Sequence, residues 1–182
     1  MKKKDDIINN ACEVIFEESE SIRNLISQID NQFVEAVEAI YNSEGRVIVT
    51  GVGKSAIIGN KIVATLNSTG TPAMFMHAAD AIHGDLGMIM EKDIVICLSK
   101  SGNTSEIKVL VPLLTLNKNK LIAIVSDEKS YLAEKADFVI KAKVEKEACP
   151  NNLAPTNSTT AQLVIGDAIA VCLLKKRNFS KA

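Results

Sequence analysis

The stretch DIVICLSKSGNTSEI, residues 93–107, is an apolar run that breaks at Ser99 into four hydroxyls and a glycine and then resumes apolar character at helical spacing. Residues 93–98 are too short for a helix and carry no polar alternation, so they read as a strand covered on both faces. Ile107, Leu110, Val111 and Leu114 follow with the period of a helix whose first turn holds Thr104, Ser105 and Glu106. Backbone N–H groups at such a helix start attract an oxyanion, and Ser99, Ser101 and Thr104 add donors without adding charge around the turn residue Gly102. Glu106 is the odd member, because a carboxylate beside an anion site is repelled by the bound anion and points to chemistry rather than capture. The same spelling also suits an ordinary Ser/Thr cap followed by an acid in the first turn.

The pattern repeats outward along the chain. Four further short apolar runs, residues 46–50, 73–76, 121–125 and 138–140, alternate with helical segments at about 55–68, 78–86, 105–116 and 131–136, and a long helix closes the chain at about 158–177. Helical apolar spacing also runs from about residue 5 to 42, as two helices or one bent one. Strands buried on both faces and separated by helices form a five-stranded parallel, doubly wound α/β sheet of the flavodoxin-like kind. The expected organisation is one domain, with the segment 5–42 packed on a core spanning 46–179. In the common strand order 2-1-3-4-5, the crevice opens at the carboxyl ends of strands 1 and 3. The loops leaving those strands are Gly51-Val52-Gly53-Lys54-Ser55 and residues 99–106, so two small-residue loops face one ligand. Gly53 permits close backbone approach, Ser55 donates at a helix start and Lys54 brings a cation.

Composition excludes several classes. The 182 residues carry a net charge of −1 with dispersed basic residues, which argues against nucleic acid or an anionic membrane surface as partner. Lys2, Lys3 and Lys4 are followed by acidic residues and an amphipathic pattern rather than the apolar core of a signal peptide, and no apolar run is expected to reach the length of a membrane span. Cys12, Cys97, Cys149 and Cys172 are widely spaced, which suits a reducing cytoplasm, and with His77 and His83 the only histidines no metal site is expected. A triphosphate-binding loop would need a glycine where Ile48 stands, and a dinucleotide fingerprint would need an acid where His77 stands.

The motifs GVGKS (51–55), STGTP (68–72), HGDLG (83–87), SKSGNTSE (99–106), KEACP (146–150), LAPT (153–156) and STT (158–160) occur in order. Together they resemble the sugar isomerase (SIS) domain of D-arabinose-5-phosphate isomerases, from about residue 5 to residue 179. The resemblance implies interconversion of D-ribulose 5-phosphate and D-arabinose 5-phosphate, supplying Kdo for lipopolysaccharide or capsule, with no cofactor. It implies Lys54, Glu106 and Glu147 in the active site with His83 near it, and Gly53, Ser55, Ser99, Ser101, Gly102 and Thr104 around the phosphate of a small phosphosugar. It also implies a homotetramer with sites shared between subunits. Family members commonly continue into a pair of CBS domains and carry a His-Pro-Gly-Gly segment after the last helix, neither of which lies within these residues. A non-catalytic SIS module sensing a phosphosugar or a nucleotide-activated Kdo is the alternative, with a phosphoheptose-type enzyme as a third.

The chemistry asks for the same residue types. Aldose–ketose isomerisation moves a proton between C1 and C2 through an enediol, which needs a base and groups that stabilise charge on two oxygens. A glutamate screened from water has its pKa raised toward neutrality, and Glu106 and Glu147 are the candidates. Glu147 lies in a charged run that would otherwise read as a solvated face, His83 suits a helix surface or a subunit contact equally well, and the cluster Asn157-Ser158-Thr159-Thr160 suits the cap of the last helix. The apolar stripe Ile8, Cys12, Ile15, Ile22 and Ile29 exceeds what one sheet face needs and is expected to bury part of itself against a neighbouring subunit.

Overall fold

The computed structural model describes the backbone of residues 2–178 and the side chains of residues 6–178; residue 179, the expected end of the core, lies outside them. Five parallel strands, β1 (Val47–Gly51), β2 (Ala73–His77), β3 (Ile94–Leu98), β4 (Lys120–Val125) and β5 (Phe138–Lys141), form one sheet in the order β2-β1-β3-β4-β5. The strand order expected from the sequence is the one observed. Central strands β1 and β3 are buried at every residue, and successive side chains feed opposite faces. Val49, Ile96 and Ile124 enter the core on one face, and Ile48, Val95 and Ala123 enter the core on the other.

Helices α1 (Lys2–Leu25), α2 (Asn31–Asn42), α3 (Lys54–Ser68) and α7 (Asn157–Lys176) cover the first face. The second is covered by α4 (Ala78–Ile82), α5 (Ser105–Leu116) and α6 (Tyr131–Lys135). The N-terminal segment is two helices, divided by a short 3-10 turn at Ile26–Gln28, with Asp30 capping α2 through the Gln32 N–H at 2.9 Å. The helix expected at 78–86 stops at Ile82, and a 3-10 turn, Asp85–Met88, follows.

The edge strand β5 would present unpaired backbone groups, a template for unwanted pairing. Two glutamines of the N-terminal segment cover it. The Gln32 side-chain carbonyl accepts from the Val139 N–H at 3.1 Å, and the Gln28 amide pairs both ways with the Lys143 backbone, at 2.9 and 3.0 Å.

α7 corrects one expectation. Among the described residues it is the one helix long and apolar enough to cross a membrane, with a mean hydropathy of 1.3 over its best window. Half of that window is buried, because α7 packs against α3 and α1 as a core helix. Gly166 sets the approach: a Cβ there would stand 2.4 Å from Ile62 on α3.

At the opposite end from the small-residue loops, Asp93 is 1% exposed and takes hydrogen bonds from the Arg46 N–H at 2.7 Å, the Arg46 guanidinium at 2.7 Å and the Met90 N–H at 2.9 Å. Burial alone would raise its pKa; the Arg46 and Met90 hydrogen bonds together outweigh it and hold the carboxyl below its ordinary value. Asp93→Asn is expected to cost about 2–3 kcal/mol by denaturant unfolding. That is at or below the low end for breaking a buried pair, because the Arg46 side chain is 31% exposed.

Candidate active site

A cleft of about 280 Å³ opens where the loops after β1 and β3 meet the start of α7. One wall carries Lys54 and Ser55 from α3 and Ser99, Lys100, Ser101 and Thr104 from the β3–α5 loop; the other carries Pro155, Ser158, Thr159 and Gln162. Larger grooves of about 430 and 720 Å³ lie elsewhere, but this one sits at the carboxyl ends of the central strands, where doubly wound sheets bind ligands.

The loop after β3 is held by its own hydrogen bonds. The Gly102 N–H donates to Ser99 Oγ at 3.1 Å, and its carbonyl accepts from the Leu132 N–H at 3.0 Å. Gly102 adopts φ +63°, and a Cβ there would lie 2.1 Å from Ser130 Oγ, so both conformation and space require glycine. Thr104 precedes α5 without capping it, and its buried Oγ1 has no hydrogen-bond partner among the described residues. A buried hydroxyl left unpaired at a helix start and lining a cleft has the character of a ligand contact. Ser55 Oγ donates to the Gln162 side-chain carbonyl at 3.0 Å, and Gln162 is 2% exposed. Lys54 is exposed at the first turn of α3 and forms no ion pair among the described residues. Gly53 does not line the cleft; its carbonyl accepts from the Ala56 N–H at 3.2 Å.

Glu147 is the most heavily bonded side chain here. It is 3% exposed, although it lies in a charged run. Oε1 accepts from Lys100 Nζ at 2.5 Å and Ser158 Oγ at 2.6 Å; Oε2 accepts from the Thr156 and Ser158 N–H groups at 2.9 and 3.1 Å. Burial taken alone would raise its pKa, but the Lys100 ammonium, the Ser158 hydroxyl and the two helix-start N–H groups together hold it at about 2. The expectation of a raised glutamate pKa is therefore corrected for Glu147. It is also corrected for Glu106, whose carboxyl lies below its ordinary value, first through its own backbone N–H and then through the Ser105 hydroxyl, 3.0 Å away. The cap of α7 comes from Glu147 and not from Asn157 or Ser158, because the carboxylate is in place to accept the helix-start N–H groups.

The remaining candidates lie apart. Glu106 is half-buried in the first turn of α5 and does not line the cleft. His83 follows α4, exposed and outside the cleft wall. His77 ends β2 opposite Gly51 and caps α4 by accepting from the Ala79 N–H at 3.3 Å. Cys97 is a packed thiol, pushed up to about 12 by burial, whereas the Cys149 thiol is lowered, first by the Ala154 N–H. Sequence reasoning missed Lys100 and Gln162. Lys100 stood inside a quoted motif, but its partner lies 47 positions away.

A family model, the SIS domain, matches residues 39–172. The chain belongs to the SIS domain family. It is 49% identical over 177 residues to the arabinose 5-phosphate isomerase KdsD of Francisella tularensis, covering 96% of this chain and 54% of that protein. With KdsD of Pseudomonas aeruginosa it shares 46% over 180 residues, covering 99% and 55%. The chain thus spans about half the length of the curated relatives it matches. A solved structure from E. coli CFT073, in complex with arabinose 5-phosphate, superposes with a TM-score of 0.94 at 37% identity, covering 97% of this chain and 94% of that one.

The Glu147 network in this SIS domain makes folding pH-dependent. Its folded pKa of about 2 lies below the ordinary 4.5, so the ionised carboxylate stabilises the fold above about pH 4.5, and that contribution is lost as pH falls through 2. Between pH 7 and pH 3 the expected loss is about 2 kcal/mol. Urea unfolding of wild type and Glu147→Gln at both pH values should show the gap between them narrowing by that amount.

Proposed function

We propose that this chain is an aldose–ketose isomerase acting on D-ribulose 5-phosphate and D-arabinose 5-phosphate, the reaction for which its relatives are named. The observation that carries the reading is the convergence of Lys54, the hydroxyls of Ser55, Ser99, Ser101 and Thr104, and the start of α5 on one cleft. Hydroxyl and N–H donors around a cation suit a phosphate dianion, and the 45–49% identity to proteins named arabinose 5-phosphate isomerase supports a pentose as the phosphorylated body. The product would feed Kdo synthesis for lipopolysaccharide or capsule, in the cytoplasm, where free thiols such as those of Cys12, Cys97, Cys149 and Cys172 persist.

In this reading the phosphate sits against Ser55, Ser99, Ser101 and Thr104, while Gly53 and Gly102, both at positive φ, turn the two loops that carry them. Lys54 neutralises charge on the enediolate or the phosphate. Glu106 and Glu147 are the carboxylates for proton movement between C1 and C2, and His83 reaches a site only from a neighbouring copy. Ile8 and Ile15 on α1 are 61% and 70% exposed, and Phe16 beside them 65%. This uncovered stripe supports a homotetramer with shared sites.

The direct test is incubation of the protein with D-ribulose 5-phosphate and detection of D-arabinose 5-phosphate. Binding without turnover would leave the sensor reading in its place. Glu106→Gln should lower kcat about 10²–10⁴-fold with an unchanged circular dichroism spectrum, because it keeps size and hydrogen bonding but discards basicity. Ser101→Ala should raise the Kd for a pentose 5-phosphate, read by calorimetry, since one donor to the dianion is lost.

A further inference from the structure

We propose that Lys100, paired here with Glu147, is a ligand-operated switch: the phosphate of a bound ligand draws its ammonium across the cleft wall and frees Glu147 to exchange a proton. This deepens the phosphosugar reading, since it names what makes Glu147 competent. Lys100 stands between Ser99 and Ser101 on the wall that also carries Thr104, so an anion held by those residues competes with Glu147 for the same ammonium. The two ends of the pair are unlike. The Lys100 side chain is 45% exposed on a flexible four-carbon stem, whereas the Glu147 side chain is 1% exposed and tied to α7 by Thr156 and Ser158. The cation is therefore the partner able to move, and a dianion attracts it more strongly than one carboxylate does.

Among the described residues Lys100 is the one cation in contact with Glu147. Lys146, next in the chain, is turned to Glu17 on α1 at 2.7 Å, and the α7 start offers Glu147 only uncharged donors. With Lys100 gone, burial and four neutral donors remain, the N–H groups and hydroxyls of Thr156 and Ser158, and the balance holding the carboxyl at about 2 shifts upward. Binding and protonation are then linked in both directions: anion binding raises the proton affinity of Glu147, and protonation of Glu147 strengthens anion binding.

The test follows the carboxyl carbon of Glu147 by NMR titration, its signal assigned by Glu147→Gln, with and without sulfate, which stays dianionic across most of the range. In wild type, sulfate should raise the midpoint by about one pH unit or more. In Lys100→Met the midpoint should already be raised and sulfate should move it less than in wild type, leaving only direct repulsion by the anion, while Lys100→Arg restores the wild-type response. A midpoint that sulfate does not move in wild type, whether through failure to bind the cleft or through binding without disturbing the pair, overturns the switch, as does an equal response in Lys100→Met. Turnover of D-ribulose 5-phosphate is assayed beside it. Turnover with an unmoved Glu147 leaves the isomerase reading standing and the switch refuted; a moved Glu147 without pentose phosphate binding or turnover does the reverse.

Discussion

A single buried carboxylate ties together the parts that make the cleft. Glu147 receives a cation from the β3–α5 loop and two backbone N–H groups and a hydroxyl from the start of α7. The packing of α7 on α3 and the Ser55–Gln162 bond bring these segments near one another, and Glu147 joins the β3–α5 loop directly to the start of α7. Removing a charge from water is costly, and it is tolerated only when every lone pair is matched. The matching gives the cleft its geometry: satisfying Glu147 places Ser158 and Thr159 opposite Ser99, Ser101 and Thr104.

The sheet supplies the rigid base for this arrangement. β1 and β3 are central, buried at every residue and paired in register from Val47 with Ile94 to Gly51 with Leu98, so the loops that follow them start level. The buried Arg46–Asp93 pair pins the same two strands at their other ends. Strands ending together, with loops of small and hydroxyl-bearing residues above them, give the cleft a fixed base lined with hydrogen-bond donors.

Much of this was legible along the chain. Residues 93–107 read correctly as strand, turn and helix because burial on both faces leaves an unbroken apolar run and the next element changes its period to that of a helix. The boundaries that moved did so for local reasons: the helix expected at 78–86 contains Gly84, which takes φ +133°, and the chain turns there instead of continuing. Glu147 was legible only as a motif match. Its position in a charged run suggested a solvated face, and its burial depends on an ammonium and a helix start that sequence separation hides.

By itself the sequence determined the fold class, the strand order and the end of the sheet where the cleft opens, because these follow from apolar periodicity and the topology of parallel crossovers. It also determined the chemical character of the two facing loops, since hydroxyls, glycines and a lysine keep their donor properties wherever they sit. Only the tertiary structure decided the protonation of the glutamates, the isolation of His83 from the cleft and the partnership of Lys100 with Glu147. A pKa is the sum of burial, charge and hydrogen bonds from residues distant in sequence, and such sums exist only once the chain has folded.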